Sequence, residues 1–220
     1  HLYRRRQRQM CIRDRVNTVN IMKIPFQKYH HGNLRDDILK AAYDFVKENG
    51  YAAMSLRGIA EECNVSATAI YRHYETKEHL LADVVAEGFV EFNASVEGKE
   101  EDDVFQRCEN YLAFAFDNYN IYDLLFSQSV VEFLNFPKIL EVADKAFESL
   151  LKSVKEHDKS LNDLSASNKA IHIWSFLHGM SSISKKMDVA FNLPDSEMPI
   201  PVRSVKRARE NLNQFIEDLF

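Results

Sequence analysis

Ser55–Lys77 reads SLRGIAEECNVSATAIYRHYETK, and the pattern within it decides the fold. Leu56, Ile59, Ala60 and Cys63 recur at i, i+3, i+4 and i+7, so they share one face of a helix that Ser55 is placed to cap. Asn64-Val65 breaks the pattern, and Ser66 is positioned to cap a second helix starting at Ala67. Ile70 and Tyr74 lie on one face of that second helix, which leaves Thr68, Tyr71 and Arg72 on the other. Two short helices at a tight corner, the second with a small polar leading end, form a helix-turn-helix. Such a unit lays its second helix in the major groove of duplex DNA. The small Ala67-Thr68-Ala69 start allows close approach to base edges, while Tyr71, Arg72, His73 and Lys77 reach phosphates. Arg57 reads either as a phosphate contact or as a solvated surface charge. The hydroxyls of Ser55 and Ser66 can cap, contact DNA, or do both.

The string SLRGIAEECNVSATAIYRHYETKEHLL resembles the DNA-binding segment of the TetR family of transcriptional regulators. The features that carry the likeness are S-L-x-x-I-A, the V-S at the corner, I-Y-x-H-Y in the second helix, and K-E-x-L-L opening the next one. The likeness runs from about Tyr29 to Phe92 and continues more weakly to the C-terminus. It implies an all-α chain, with a three-helix DNA-binding domain over 29–76 (helix-turn-helix about 55–74) and a larger helical effector-binding and dimerisation domain over 77–220. The DNA-contacting residues expected on that basis are Ser55, Arg57, Ser66, Thr68, Tyr71, Arg72, His73 and Lys77.

Working outward, Asn33 is placed to cap a first helix whose stripe is Leu34, Ile38, Ala41, Ala42 and Phe45. Asp36 and Asp37 sit in its positive first turn, and Gly50 follows as a left-handed end. Tyr29-His30-His31-Gly32-Asn33 precedes it. The paired histidines lack the i, i+4 spacing of a helical metal site and read as a loop or a phosphate-near arm. Residues 1–28 are expected to be a disordered or artefactual extension. Within them, HLYRRRQRQMCIRDR carries six arginines against one acid. It reads either as a nucleic-acid-binding arm or as translated adapter sequence ahead of a start at Met22-Lys23.

Downstream, Thr76 caps a long helix with an apolar face of Leu80, Leu81, Val84, Val85, Phe89 and Phe92, which the resemblance makes the link between the two domains. A polar break at Gly98–Asp103 precedes helices expected at about 104–118, 121–134, 137–156, 166–190 and 201–219. Pro137, Pro194, Pro199 and Pro201 punctuate this part of the chain. The aromatic group Phe105, Tyr111, Phe114, Phe116, Tyr119, Tyr122, Phe126, Phe133 and Phe136 reads first as core. The family, however, places an apolar inducer pocket among these helices. Trp174, His178 and Gly179 spell W-x-x-x-H-G, which resembles one class of TetR-like C-terminal domains (the WHG class). Spacing puts Trp174 and His178 on one face, where His178 is expected to be a hydrogen-bonded core histidine rather than a ligand. The last helix carries Val202, Val205, Ala208, Leu212, Phe215, Ile216 and Leu219, a stripe that must cover its own core or a partner.

Composition sets the bounds on function. Three widely spaced cysteines form neither a disulfide framework nor a paired metal motif, and they point to a reducing cytoplasm. No apolar run reaches membrane-spanning length. No GxSxG, HExxH or phosphate-binding glycine loop supports an enzyme, so no catalytic residue, cofactor or metal is expected. The formal charge of −5 becomes −10 without residues 1–21, and 29–76 has five Lys/Arg against seven Asp/Glu. DNA affinity would therefore come from local placement of cations and helix N-termini. The resemblance implies a ligand-responsive repressor. It would bind an inverted-repeat operator as a homodimer formed through the last two helices and answer an apolar or aromatic effector. The rival reading is a helical ligand-binding or scaffold protein that keeps the fold without reading DNA.

Overall fold

The computed structural model describes residues 33–97, 103–127 and 135–218. The extension 1–28, the Tyr29–Gly32 lead, most of the polar break after Glu97, the far end of the expected 121–134 helix with Phe133, and Leu219 lie outside the described residues. Among the described residues there is helix and no strand.

Three helices build the N-terminal head. α1 (Leu34–Asn49) buries Ile38, Ala42 and Val46, α2 (Leu56–Glu62) buries Leu56, Ile59 and Ala60, and α3 (Ala67–Tyr71) buries Ile70 alone. These side chains, with Met54, Cys63 and Tyr74, make the small core on which the corner closes. At the corner Asn64 takes φ 54°, a left-handed conformation that asparagine tolerates better than most residues. The Val65 amide then reaches back to the Ala60 carbonyl at 2.9 Å. Gly50 ends α1 with φ 78° and ψ 155°, a positive-φ region open to glycine but displaced from the left-handed helical one. Asn33 does not cap α1 through its side chain. Its amide donates instead to the Asp36 carboxylate, which turns the side chain toward that acid and leaves its oxygen off the backbone N–H groups of the first turn.

α4 (Lys77–Val96) leaves the head and runs into the C-terminal part, with all six expected apolar positions buried. α5 (Val104–Asp117) is followed at once by α6 (Tyr119–Phe126), the chain turning at Asn118 with φ −121° and ψ 40°. α7 (Pro137–His157) starts with proline in its first turn, where the missing N–H has no intrahelical partner to lose. α8 (Asp163–Met187) begins three residues earlier than expected because the Asn162 side chain caps it, accepting from the Ser165 amide at 2.9 Å. It then tightens into a 3₁₀ turn over Asp188–Asn192. The expected 201–219 helix is two helices, α9 (Ile200–Glu210) and α10 (Leu212–Glu217), separated where Asn211 leaves helical geometry. No helix among the described residues is long and apolar enough to cross a membrane.

Candidate reading head and effector cavity

The tip of the head is built by capping. Ser55 Oγ accepts from the Gly58 amide at 3.1 Å, Ser66 Oγ from the Ala69 amide at 3.3 Å, and Thr76 Oγ1 from the His79 amide at 3.3 Å. The two serines are thus engaged as caps while still exposed. Thr68, Tyr71, Arg72 and His73 all face solvent, Tyr71 at 55% exposure. Arg57 is exposed and pairs with Glu61 at 3.4 Å along α2. Lys77 is half-buried, and its Nζ donates to the Ala52 carbonyl at 3.4 Å, tying the start of α4 to the α1–α2 loop. Seven of the eight expected residues are therefore exposed, and Lys77 is half-buried.

Beneath that tip the head is fastened to α4. Tyr74, 2% exposed, donates its hydroxyl to Asp83 at 3.0 Å, and Arg35 donates to the same carboxylate at 2.9 Å. Burial pushes the Tyr74 phenol up to about 12, so it stays a donor across the physiological range. Lys138, in the first turn of α7, lies 3.9 Å from the other Asp83 oxygen. Further along, Tyr43 donates to Glu91, whose second oxygen takes Lys47 at 3.1 Å.

From Phe89 onward α4 forms one wall of a cavity of about 410 Å³. Phe89, Phe92 and Val96 of α4 face Arg107, Cys108 and Tyr111 of α5 and Leu125 and Phe126 of α6. The remaining wall is Ala143, Asp144, Ala146, Phe147 and Leu150 of α7 with Ile171, Trp174 and Leu177 of α8. The exposed Asp144 and Ile171 mark its rim between α7 and α8. The volume falls in the range of small-molecule sites, and the lining is apolar and aromatic, as such sites usually are. Rings meet edge to face at Phe92–Phe114 (5.2 Å) and Phe92–Tyr111 (5.3 Å), a rigid arrangement for an aromatic wall. Of the aromatics read as core in the sequence, Tyr111 and Phe126 line the cavity, whereas Phe105, Phe114, Phe116, Tyr119, Tyr122 and Phe136 do not. The remaining aromatic lining, Phe89, Phe92, Phe147 and Trp174, carries no local signal that separates it from ordinary core.

Few polar groups reach this space. Arg107 is buried with its Nη1 donating to Ser149 Oγ at 2.6 Å. Behind Tyr111 a chain of hydrogen bonds runs from its hydroxyl to that of Tyr122 (2.9 Å) and on to His178 Nδ1 (2.8 Å). Burial lowers the His178 pKa and so favours the neutral imidazole. His178 is thus a hydrogen-bonded histidine near Trp174, as its spacing suggests, with Tyr122 as the partner the sequence does not identify. Burial also pushes the Cys108 thiol up to about 12, which leaves it an inert lining group rather than a nucleophile. Among the described residues no group of three or more His, Cys, Asp or Glu could hold a metal ion.

A polar, capped reading tip joined to a cavity wall by one continuous helix is the build of a helix-turn-helix transcription regulator. Two family models match in succession: "Bacterial regulatory proteins, tetR family" over residues 38–84 and "Tetracyclin repressor-like, C-terminal domain" over 104–197. The chain belongs to the TetR family, whose members are DNA-binding regulators. It is 34% identical over 55 residues to the HTH-type transcriptional repressor KstR of Rhodococcus jostii (strain RHA1), a match spanning 25% of this chain and 26% of that repressor. In fold it is similar to a protein of unknown function from Rhodococcus sp. RHA1, with a TM-score of 0.62, 21% identity, and 86% of this chain and 97% of that one covered. It also resembles the regulator FadR of Bacillus subtilis in complex with stearoyl-CoA, with a TM-score of 0.54, 17% identity, and 80% and 97% covered.

Proposed function

We propose that the protein is a ligand-responsive repressor of transcription that binds an inverted-repeat operator as a homodimer. The observation that carries this reading is the exposure of Thr68, Tyr71 and Arg72 at the tip of a helix whose one buried residue is Ile70. Thr68 reads base edges, and Tyr71, Arg72, His73, Arg57 and Lys77 hold phosphates. Ser55 and Ser66 keep the helix N-termini in place and offer exposed hydroxyls beside the backbone. The working division is 29–76 for DNA and 77–220 for effector and dimer, with 1–28 an extension outside both. Exposed apolar side chains on the last helices, Ile183 of α8, Ile200 of α9 and Phe215 of α10, support pairing through that surface. A two-fold axis there would set the reading helices about one turn of DNA apart, roughly 34–36 Å.

The cavity takes an apolar or aromatic effector, and the stearoyl-CoA bound by the FadR relative is consistent with an apolar-tailed one. Occupancy tilts α4, and release or capture of DNA follows only if the two dimer geometries differ in ligand affinity. About 1–3 kcal/mol of coupling is typical of such linkage. Trp174, His178 and Gly179 favour the WHG class of C-terminal domain. The protein acts in the cytoplasm, with no catalytic step and no cofactor. Selection of a DNA ligand from a random duplex library, then gel shifts across a salt series, tests the reading. A site-specific complex should appear, weaken with added salt, and loosen with Tyr71→Ala and Arg72→Ala. Binding no tighter than to random duplex would instead support the scaffold alternative.

A further inference from the structure

The head touches the effector part at a second place that does not involve α4. Asn120, in the first turn of α6, donates from its side-chain amide to two carbonyls at the end of α1, Lys47 O at 3.0 Å and Glu48 O at 3.2 Å. Those carbonyls belong to the last turn of α1, where no intrahelical N–H remains to meet them. The Asn120 carboxamide oxygen also lies beside Gly50, 3.7 Å from where a Cβ there would stand. Gly50 has positive φ, so an added side chain would be strained at this position as well as crowding the contact.

The other end of α6 is cavity wall. Leu125 and Phe126 line the cavity, and Phe126 lies six helical steps beyond Asn120, about 9 Å of stiff backbone. Leu125 and Ile121 also press on α4 at Gly88, so α6 cannot shift without sliding against that helix. At its opposite end α1 is held to α4 by Arg35 through Asp83. α1 is therefore held to α4 near its start through Arg35 and Asp83 and again through Tyr43 and Lys47 on Glu91. Its last-turn carbonyls are also gripped by α6, a helix that walls the cavity. Its middle carries Ile38, Ala42 and Val46, the core on which α2 and α3 rest.

The geometry points to Asn120 as a positioning residue that carries cavity occupancy to the reading head through α6 and α1, in parallel with the tilt of α4. A bound effector pushes Leu125 and Phe126, α6 moves as a unit, and the two amide bonds drag the end of α1. The inference rests on the proposal that the cavity is the effector site.

Hydrogen exchange by mass spectrometry on the full chain tests it without DNA. The readout is the 46–52 region, in two arms. In the first arm the cavity is filled by the neutral aromatic probe N-phenyl-1-naphthylamine, with Trp174 fluorescence reporting occupancy. In the second it is filled from within by Ala146→Phe, which needs no ligand to bind. In the otherwise wild-type chain, filling should change exchange at the end of α1 at least threefold. In Asn120→Ala the basal exchange there should rise, and the further response to filling should shrink below about 1.5-fold. Asn120→Gln, which keeps an amide donor, should recover part of the response. A purely structural role would raise the basal rate and leave the response to filling unchanged. An equal response with and without Asn120, or none at α1 in the filled wild-type cavity, overturns the inference. A probe that fails to bind, or a protein that fails to select DNA, counts against the proposed function instead. The Ala146→Phe arm still decides the role of Asn120.

Discussion

Two glycines inside long helices should respond to alanine with opposite signs. Gly88 of α4 lies at the crossing with α6, where an added Cβ would stand 3.0 Å from Leu125 Cδ2 and 3.1 Å from Ile121 Cγ2. Leu125 lines the cavity and can yield into it. Ile121 is fully buried and, being β-branched in a helix, has one strongly preferred rotamer. Replacing a mid-helix glycine by alanine ordinarily stabilises by about 1 kcal/mol. Overpacking a closed crossing costs about 1–3 kcal/mol. The second term wins for Gly88→Ala, for a net loss of about 1 kcal/mol and a fall in Tm of roughly 2–4 °C at this chain length. Gly179 of α8 has nothing within 4 Å of its would-be Cβ, so Gly179→Ala keeps the propensity gain and should raise Tm by a similar amount. Thermal unfolding by circular dichroism at one fixed, low protein concentration compares the two variants without a shift in dimer population. A Gly88→Ala protein as stable as Gly179→Ala would show that α4 and α6 can separate freely, and the reasoning about that crossing would fail.

Other consequences are open to measurement. If Arg72 holds one phosphate in each protomer of the proposed dimer, Arg72→Ala should flatten the slope of log affinity against log salt by about 2. Thr68→Ala should narrow discrimination against a single changed base pair by about 1–3 kcal/mol, read by competition gel shifts with operator variants. Ser66→Ala removes the α3 cap and should cost about 1 kcal/mol, visible as earlier denaturant unfolding. His178, with a folded pKa below its ordinary 6.5, binds its proton less readily folded than unfolded. Its contribution to stability should hold above that value and be lost as pH falls from about 6.5 toward the folded pKa, and His178→Gln should remove that part of the slope in urea titrations.

The head is legible in the sequence because its signals are local. Ser55, Ser66 and Thr76 announce their helices by residue type at the right offset, and each hydroxyl is found on the expected amide or one close to it. The apolar face of α4 was readable for the same reason, since periodicity alone marks a buried stripe. What the stripe faces was not readable. Phe89 and Phe92 look like any core aromatics, and only the approach of α5, α6, α7 and α8 turns them into cavity wall. The Asn120 contact spans more than seventy residues to meet backbone carbonyls, which leave no trace in side-chain pattern. The break at Asn211 leaves no trace in the pattern, because the apolar spacing continues across it. Asn33 shows the converse failure: a good capping residue lost to the nearer acid Asp36.

Within α3 the work of holding the fold falls to Ile70 and, just beyond the helix, Tyr74, while Thr68, Tyr71 and Arg72 bear none of it. If those three sites read DNA as proposed, changes there redirect the protein to a new promoter with little penalty to folding. Divergence between gene copies could therefore rewire targets one substitution at a time, each intermediate still a well-folded protein.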